Sequence, residues 1–404
     1  VNLLLQIPIE FRILGCFILG AAAGSLANLA IYRFAWNPQP ISPWSRAPKG
    51  ASPRTWVDRM PIFGWLSLWR ESGVHGPRFW VRPMAIELLT GVALAALYWW
   101  EIEAQGLMLE ELPLPNLLRP SPLQTPTTEV WKHLLLCGHW VLLCLMIVAT
   151  FIDIDERYIP DQITLPGTLL GLAAAAVYPW FLPPGLIGFA DRGMAKPEGV
   201  VEFIHIASRN EWPSILKGGP PNYFALAVGL ACLWMWCFAL LPRTWHGRHG
   251  VRQALRFFIA KIYRERFSWW MLRIGLAGSV AISLVWWWGG AHWAGLLSSL
   301  VGMAAGACIV WAVRLIGQAV LKKEAMGFGD VTLMAMIGAF VGWQAAAVIF
   351  FIAPLAGLVI GLANYAIRRD QSIPYGPFLC IATVATIVFW KPIWTYTAER
   401  LDML

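Results

Sequence analysis

Residues 133–152 read His133-Leu-Leu-Leu-Cys-Gly-His-Trp-Val-Leu-Leu-Cys-Leu-Met-Ile-Val-Ala-Thr-Phe-Ile152, and the next residue is Asp153. Twenty apolar residues in helical conformation span about 30 Å, the thickness of a bilayer's hydrocarbon core. Similar runs recur along the chain at about 11–31, 83–100, 163–182, 222–241, 271–289, 293–317, 331–346, 347–367 and 376–396. The stretch 331–367 reads either as a hairpin of two spans or as one long broken span. Hydrophobic residues make up 58% of the 404 and charged residues 13%, about half the charged fraction of a soluble domain. Hydrocarbon does not tolerate unpaired backbone, so the expected fold is an all-α polytopic membrane protein, a bundle of about eight to ten transmembrane helices.

The formal charge of +8 is distributed in a way that sets topology. Segments 32–82 and 242–273 each carry eight Lys/Arg against one or two acids, whereas 101–132 carries five Glu against Arg119 and Lys132. By the positive-inside rule the two basic segments face the cytoplasm and the N-terminus lies outside, in a multi-pass protein. A basic surplus placed this way argues against a nucleic-acid partner and for the lipid bilayer. Segment 244–268 alternates Arg with apolar residues, as a helix lying on the inner leaflet would. The first span lacks a basic n-region and a small-residue cleavage site, so it is expected to be retained. All seven cysteines fall in apolar spans without a C-x-x-C pair, which supports neither a disulfide framework nor a metal site.

Carboxylates near membrane depth call for a reason, since one at mid-bilayer costs about 2.5–3.5 kcal/mol on insertion scales. Asp153, Asp155, Glu156 and Asp161 follow the third span, and Asp330 ends Glu324-Ala-Met-Gly-Phe-Gly-Asp330. The topology places both groups at the cytoplasmic face. Two such carboxylates brought together could hold a water, one as base and the other as acid, and titrate as a unit. Gly327 and Gly329 would let a substrate backbone approach closely. Pro374-Tyr-Gly-Pro377 could offer backbone groups to an unwound strand. The bland readings are that Asp330 caps a helix, that Asp155, Glu156 and Arg157 form a solvated turn, and that Asp161 caps the helix starting near Ile163.

In order, these segments resemble prepilin peptidases, the type IV leader peptidase and N-methyltransferase family of G-x-G-D intramembrane aspartyl proteases. The resemblance rests on Gly20-Ala-Ala-Ala-Gly-Ser-Leu-Ala-Asn-Leu-Ala-Ile-Tyr-Arg33, Asp58-Arg-Met-Pro-Ile-Phe-Gly-Trp-Leu66, Arg82-Pro83 with Glu87-Leu-Leu-Thr90, the Asp153 segment through Pro166, Glu324 to Asp330, and Pro374 to Pro377. It implies a catalytic pair Asp153 and Asp330, with Gly327, Gly329, Glu324, Asp161, Pro374, Gly376 and Pro377 in support. Gly24, Ser25, Asn28, Arg33 and Glu87 form an N-terminal motif, although the small residues at 20–25 also suit close helix packing. The resemblance also implies the inner (cytoplasmic) membrane as the location. The implied activity is cleavage of type IV prepilins or type II secretion pseudopilins after a glycine at the cytoplasmic membrane face. The family then N-methylates the new terminus with S-adenosylmethionine; proteolysis itself needs no cofactor.

Three departures accompany the resemblance. The family's cytoplasmic loop commonly carries two C-x-x-C pairs, whereas 32–82 holds no cysteine, so no zinc is expected and methyl transfer becomes an open question. Thr332 stands where the family usually has Lys. The spans at 222–241 and 271–289 look like an added hairpin within about 184–290, which preserves the side on which Asp330 emerges. Two units follow, 1–100 with the first two spans and the basic loop, and 101–404 as the peptidase domain. The competing readings are a peptidase-only, preflagellin-like enzyme, a transporter whose carboxylates carry protons, and an inactive secretion-system scaffold.

Overall fold

The computed structural model describes residues 6–37, 41–48, 51–107, 128–186, 201–203, 220, 222–241, 256, 259–260, 263–321, 326–368 and 374–401. Its helices are α1 (Ile9–Phe34), α2 (Val81–Tyr98), α3 (Thr128–Glu156), α4 (Asp161–Val177), α5 (Tyr223–Ala239), α6 (Arg266–Trp288), α7 (Gly290–Leu321), α8 (Phe328–Arg368), α9 (Gly376–Val388) and α10 (Trp390–Leu401). Among the described residues six are long and apolar enough to cross a membrane, or seven if Gly376–Val388 and Trp390–Thr397, bent by 77°, form one span. α4 and α5 are shorter, at 17 residues each. A small ribbon pairs β1 (Pro184–Leu186) with β2 (Val201–Phe203), antiparallel. The protein is thus an all-α polytopic membrane protein. Most of 101–132, 184–221 and the expected surface helix at 244–268 lies outside the described residues.

α8 decides the architecture. Residues 330–342 are buried without interruption, so the run Val331–Val341 has no polar face because it has no solvent or lipid face. Around it pack Leu142, Met146 and Ala149 of α3, and Leu379 and Ala382 of α9. The spans expected separately at 331–346 and 347–367 belong to this one helix, which is broken at Gly342 (φ 79°, ψ 173°). Only glycine adopts that backbone readily, and hydropathy alone cannot register it.

Small residues set the spacing. A Cβ on Gly302 of α7 would fall on the Gly338 carbonyl of α8, and one on Gly306 would lie 2.6 Å from the Met334 carbonyl. Gly20 and Gly24 of α1 meet Gly91 and Glu87 of α2, where an added Cβ would come within 2.8 and 2.7 Å of backbone. α5 and α6 pack on each other, with Trp234 against Gly275 and its indole N–H on Ser279 Oγ at 3.0 Å. Outward faces are apolar. On α6, Leu272, Leu276, Val280 and Leu284 are exposed at helical spacing, opposite buried Met271, Gly275, Ile282 and Trp286, a pattern that only a lipid surround makes sense of.

Overpacking a glycine contact should be felt where backbone meets backbone. Gly338→Leu is expected to destabilise the protein by at least about 2 kcal/mol, whereas Gly15→Leu, where nothing lies within 4 Å of the added Cβ, should be neutral. Thermal unfolding in detergent reads both.

Candidate active site

α3 runs unbroken to Glu156, after which Arg157 takes a positive φ of 53° and the chain turns through Ile159-Pro160 into α4. That geometry directs the four acidic residues differently. Asp153, 5% exposed, faces the bundle, and its Oδ2 accepts the Gly376 N–H at 3.1 Å. Asp155 pairs with Arg82 at 2.6 Å, and Glu156 accepts the backbone N–H groups of Trp36 and Asn37. The turn is solvent-exposed, as expected, and it also ties α3 to α2 and to the chain just after α1. Asp161 is the first residue of α4 with Pro160 as its N-cap, and it makes no capping hydrogen bond, which corrects the role expected of it. Its carboxylate sits instead in the first turn, at the positive end of the helix dipole.

Asp330, 6% exposed, lies in the first turn of α8 and accepts the Gly327 N–H through Oδ2 at 3.1 Å. A third-position carboxylate reaching back to the N-cap N–H is half of a capping box, so the cap reading holds geometrically. It does not exclude a chemical role. No hydrogen bond reaches Oδ1 of Asp153 or Asp330 among the described residues. The two aspartates come from distant parts of the chain yet lie within electrostatic range of each other, and both act on Cys380, one turn along α9 from Gly376.

Ile159 organises the approach. A Cβ on Gly329 would come within 2.9 Å of Ile159 Cβ, and one on Gly376 within 2.6 Å of Asp153 Oδ2 and 2.9 Å of Ile159 Cδ1. Gly329 is thus needed by the chain's own turn and not by an incoming strand. Gly327 keeps an open face, its nearest neighbour being Asp330 Oδ2 at 3.5 Å. Pro377 sits in the first turn of α9, with Tyr375 as N-cap and Pro374 preceding it. Glu324 lies outside the described residues. Thr332 is buried and spends its hydroxyl on the Gly329 carbonyl at 3.0 Å.

Sequence reasoning passed over Arg314. α7 and α8 are antiparallel, with Gly302 on Gly338 and Gly306 on Met334, so Val310 comes level with Asp330 and Arg314 lies about one turn further on. Helical side chains lean toward their own N-terminus, which aims Arg314 back at Asp330. The guanidinium is buried, stands 5.8 Å from the Phe328 ring, and its charge reaches Asp330. A carboxylate pair fixed by backbone N–H groups at two helix starts, with a nearby cation, can hold and polarise a water.

The N-terminal motif gathers around buried Glu87. Its carboxylate accepts from Ser25 Oγ at 2.6 Å, Trp65 Nε1 at 2.8 Å, Ile62 N at 2.5 Å and Asn28 Nδ2 at 3.3 Å. Ile62 takes φ 65° in a strained γ-turn closed by Phe63 N–H on the Pro61 carbonyl at 2.7 Å. Gly24 packs directly under Glu87, whereas Arg33 is exposed in the last turn of α1 and takes no part. The cysteine-free loop is held by two further buried carboxylates. Glu71 pairs with Arg54 at 2.7 Å, and Asp58 pairs with Arg70 at 2.7 Å while accepting from Ser67 Oγ and Thr55 N at 2.6 Å each. Burial pushes the Asp58 carboxyl up, but these hydrogen bonds outweigh it and hold the group down at about 2.

Residues 140–191 and 265–362 match the type IV leader peptidase family, and residues 18–101 match the bacterial peptidase A24 N-terminal domain. The stretch between, which includes α5, falls outside both matches. Similar curated proteins are named prepilin leader peptidase/N-methyltransferase. That of Burkholderia pseudomallei is 30% identical over 128 residues, 30% of this chain and 41% of the relative. That of Pseudomonas aeruginosa is 37% identical over 92 residues, 22% and 32% respectively. That of Myxococcus xanthus is 27% identical over 187 residues, 46% and 45%. The chain thus spans less than half the length of these relatives. No solved structure matches.

The Asp58 clamp has a pH signature. Its folded value lies below the unfolded one of about 3.9, so its contribution is complete above pH ~4 and is lost as pH falls toward 2. Hydrogen-exchange protection across 54–75, taken relative to the intrinsic rate at each pH, should be retained at pH 5 and fall over that window. At neutral pH, Asp58→Asn should weaken the loop by about 1–3 kcal/mol in the same measurement.

Proposed function

Because this chain belongs to the type IV leader peptidase family, we propose that it cleaves type IV prepilins or type II secretion pseudopilins after a glycine, using Asp153 and Asp330 as an aspartyl dyad. The observation that carries this reading is the pair itself. Two buried carboxylates from α3 and α8 lie within electrostatic range, each accepting a glycine N–H at 3.1 Å. One carboxylate takes a proton from water as the water oxygen bonds to the scissile carbonyl carbon. The other gives its proton to the carbonyl oxygen. Collapse of this adduct breaks the C–N bond, and the amine leaves with a proton returned by the dyad. The basic segments 32–82 and 242–273 orient this end of the bundle to the cytoplasmic face of the inner membrane, with the N-terminus outside. A transporter reading is weaker, because it needs carboxylates in mid-bilayer and these lie at helix ends.

Methylation of the new N-terminus with S-adenosylmethionine is the second activity we infer. It is favoured by the match of residues 18–101 to the N-terminal domain and by the built Glu87 network. In this reading the loop, which carries no cysteine, is held by Asp58–Arg70 and Glu71–Arg54, and neither step is assigned a zinc ion.

On a prepilin substrate in membranes, wild type should cut, whereas Asp153→Asn and Asp330→Asn should each lose at least about 1,000-fold while remaining folded. Activity should survive treatment with a zinc chelator. Wild-type activity in either Asn variant would dismiss the dyad. Mass spectrometry of the cut N-terminus, with and without S-adenosylmethionine, decides methylation.

A further inference from the structure

A buried hydroxyl normally finds a partner, and one left without costs free energy that packing elsewhere must offset. Tyr375 Oη is buried and has no hydrogen-bond partner among the described residues. The residue is firmly mounted. It is the N-cap of α9, its carbonyl accepts the N–H groups of Phe378 and Leu379 at 3.0 and 3.3 Å, and its ring meets Phe378 edge-on with centroids 6.5 Å apart. The next residue, Gly376, supplies the N–H that holds Asp153, and the Asp330 charge also acts on the Tyr375 hydroxyl. Tyr178 also carries a buried hydroxyl without a partner among the described residues, but it follows the far end of α4, away from both aspartates. Of the two tyrosine hydroxyls left without a partner among the described residues, one therefore stands at the proposed reacting centre.

We propose that Tyr375 Oη is a catalytic hydrogen-bond donor to the scissile carbonyl oxygen of the substrate, idle in the free enzyme and engaged as the tetrahedral adduct forms. The assignment rests on the peptidase reading above. As water attacks, the C=O π pair moves onto oxygen, and the O–H of Tyr375 stabilises that charge without giving up its proton, which comes from the protonated member of the dyad. A donor fixed in place before the reaction, in a site shielded from water, acts on the transition state more than on the bound substrate. It needs no reorganisation when charge develops. The donor's lack of a ground-state partner is what this role requires.

The test compares Tyr375→Phe with Tyr178→Phe in detergent-solubilised full-length protein, measuring kcat and KM on a prepilin together with thermal unfolding. Both variants delete an unpartnered hydroxyl, so neither should be less stable than wild type. Tyr375→Phe is expected to lose about 100-fold in kcat with KM changed by less than about threefold, and Tyr178→Phe to keep wild-type kcat. Wild-type kcat in Tyr375→Phe, with Asp330→Asn inert in the same assay, overturns the assignment and leaves the peptidase standing. Equal losses in both tyrosine variants also overturn it, pointing to packing. A wild type that leaves the prepilin uncut overturns the peptidase reading and this assignment with it.

Discussion

A carboxylate buried among membrane helices must find its hydrogen bonds within the protein, and two glycine N–H groups at helix starts meet that demand here. Gly376 serves Asp153 and Gly327 serves Asp330, each at 3.1 Å. Helix N-termini supply both unpaired N–H groups and the positive end of a dipole, so they suit negative charge without a neutralising side chain in contact. The requirement propagates outward. Gly376 can reach Asp153 only because neither it nor Gly329 has a side chain to collide with Ile159. α8 can carry Asp330 into the bundle only because Gly302, Gly306 and Gly338 let α7 lie against it. The geometry of the aspartate pair and the helix packing are one constraint seen at two scales.

The N-terminal unit solves a related problem with charge. Without cysteines, the loop between α1 and α2 is ordered by three buried carboxylates, Asp58, Glu71 and Glu87, each saturated by donors from nearby chain. Such clusters contribute order only when every member is satisfied, because removal of one partner strands the rest. The Arg82–Asp155 pair and the Glu156 contacts to Trp36 and Asn37 then fasten this unit to the helix that carries Asp153. Two regions of separate sequence are thereby registered against each other at one membrane face.

Much of this was legible from residue order. Apolar runs gave the helices because lipid imposes length and composition on each of them, and the G-x-G-D and P-Y-G-P segments pointed to the residues that meet around Asp153 and Asp330. What escaped depends on backbone angles and on contacts between distant helices. The break in α8 hangs on one positive φ at Gly342, and the capping role expected of Asp161 fails because Pro160 occupies that position. Gly329 was read as space for a substrate, and Ile159, some 170 residues earlier, fills it. Arg314 looks like a cation near the end of a span until the antiparallel register of α7 and α8 aims it at Asp330. Tyr375 sat inside a recognised motif, but a missing hydrogen-bond partner has no trace in sequence.

Proximity of the two aspartates is the claim on which everything else rests, and it can be measured without any substrate. In a background carrying Cys380→Ala, paired substitutions Asp153→Cys and Asp330→Cys would be treated in native membranes with a short thiol-specific cross-linker, beside Asp155→Cys with Asp330→Cys. Efficient intramolecular cross-linking of the first pair, and little of the second, is the predicted result, since Asp153 faces the bundle and Asp155 turns toward Arg82. Cross-linking of the first pair no greater than the second would contradict a converged dyad.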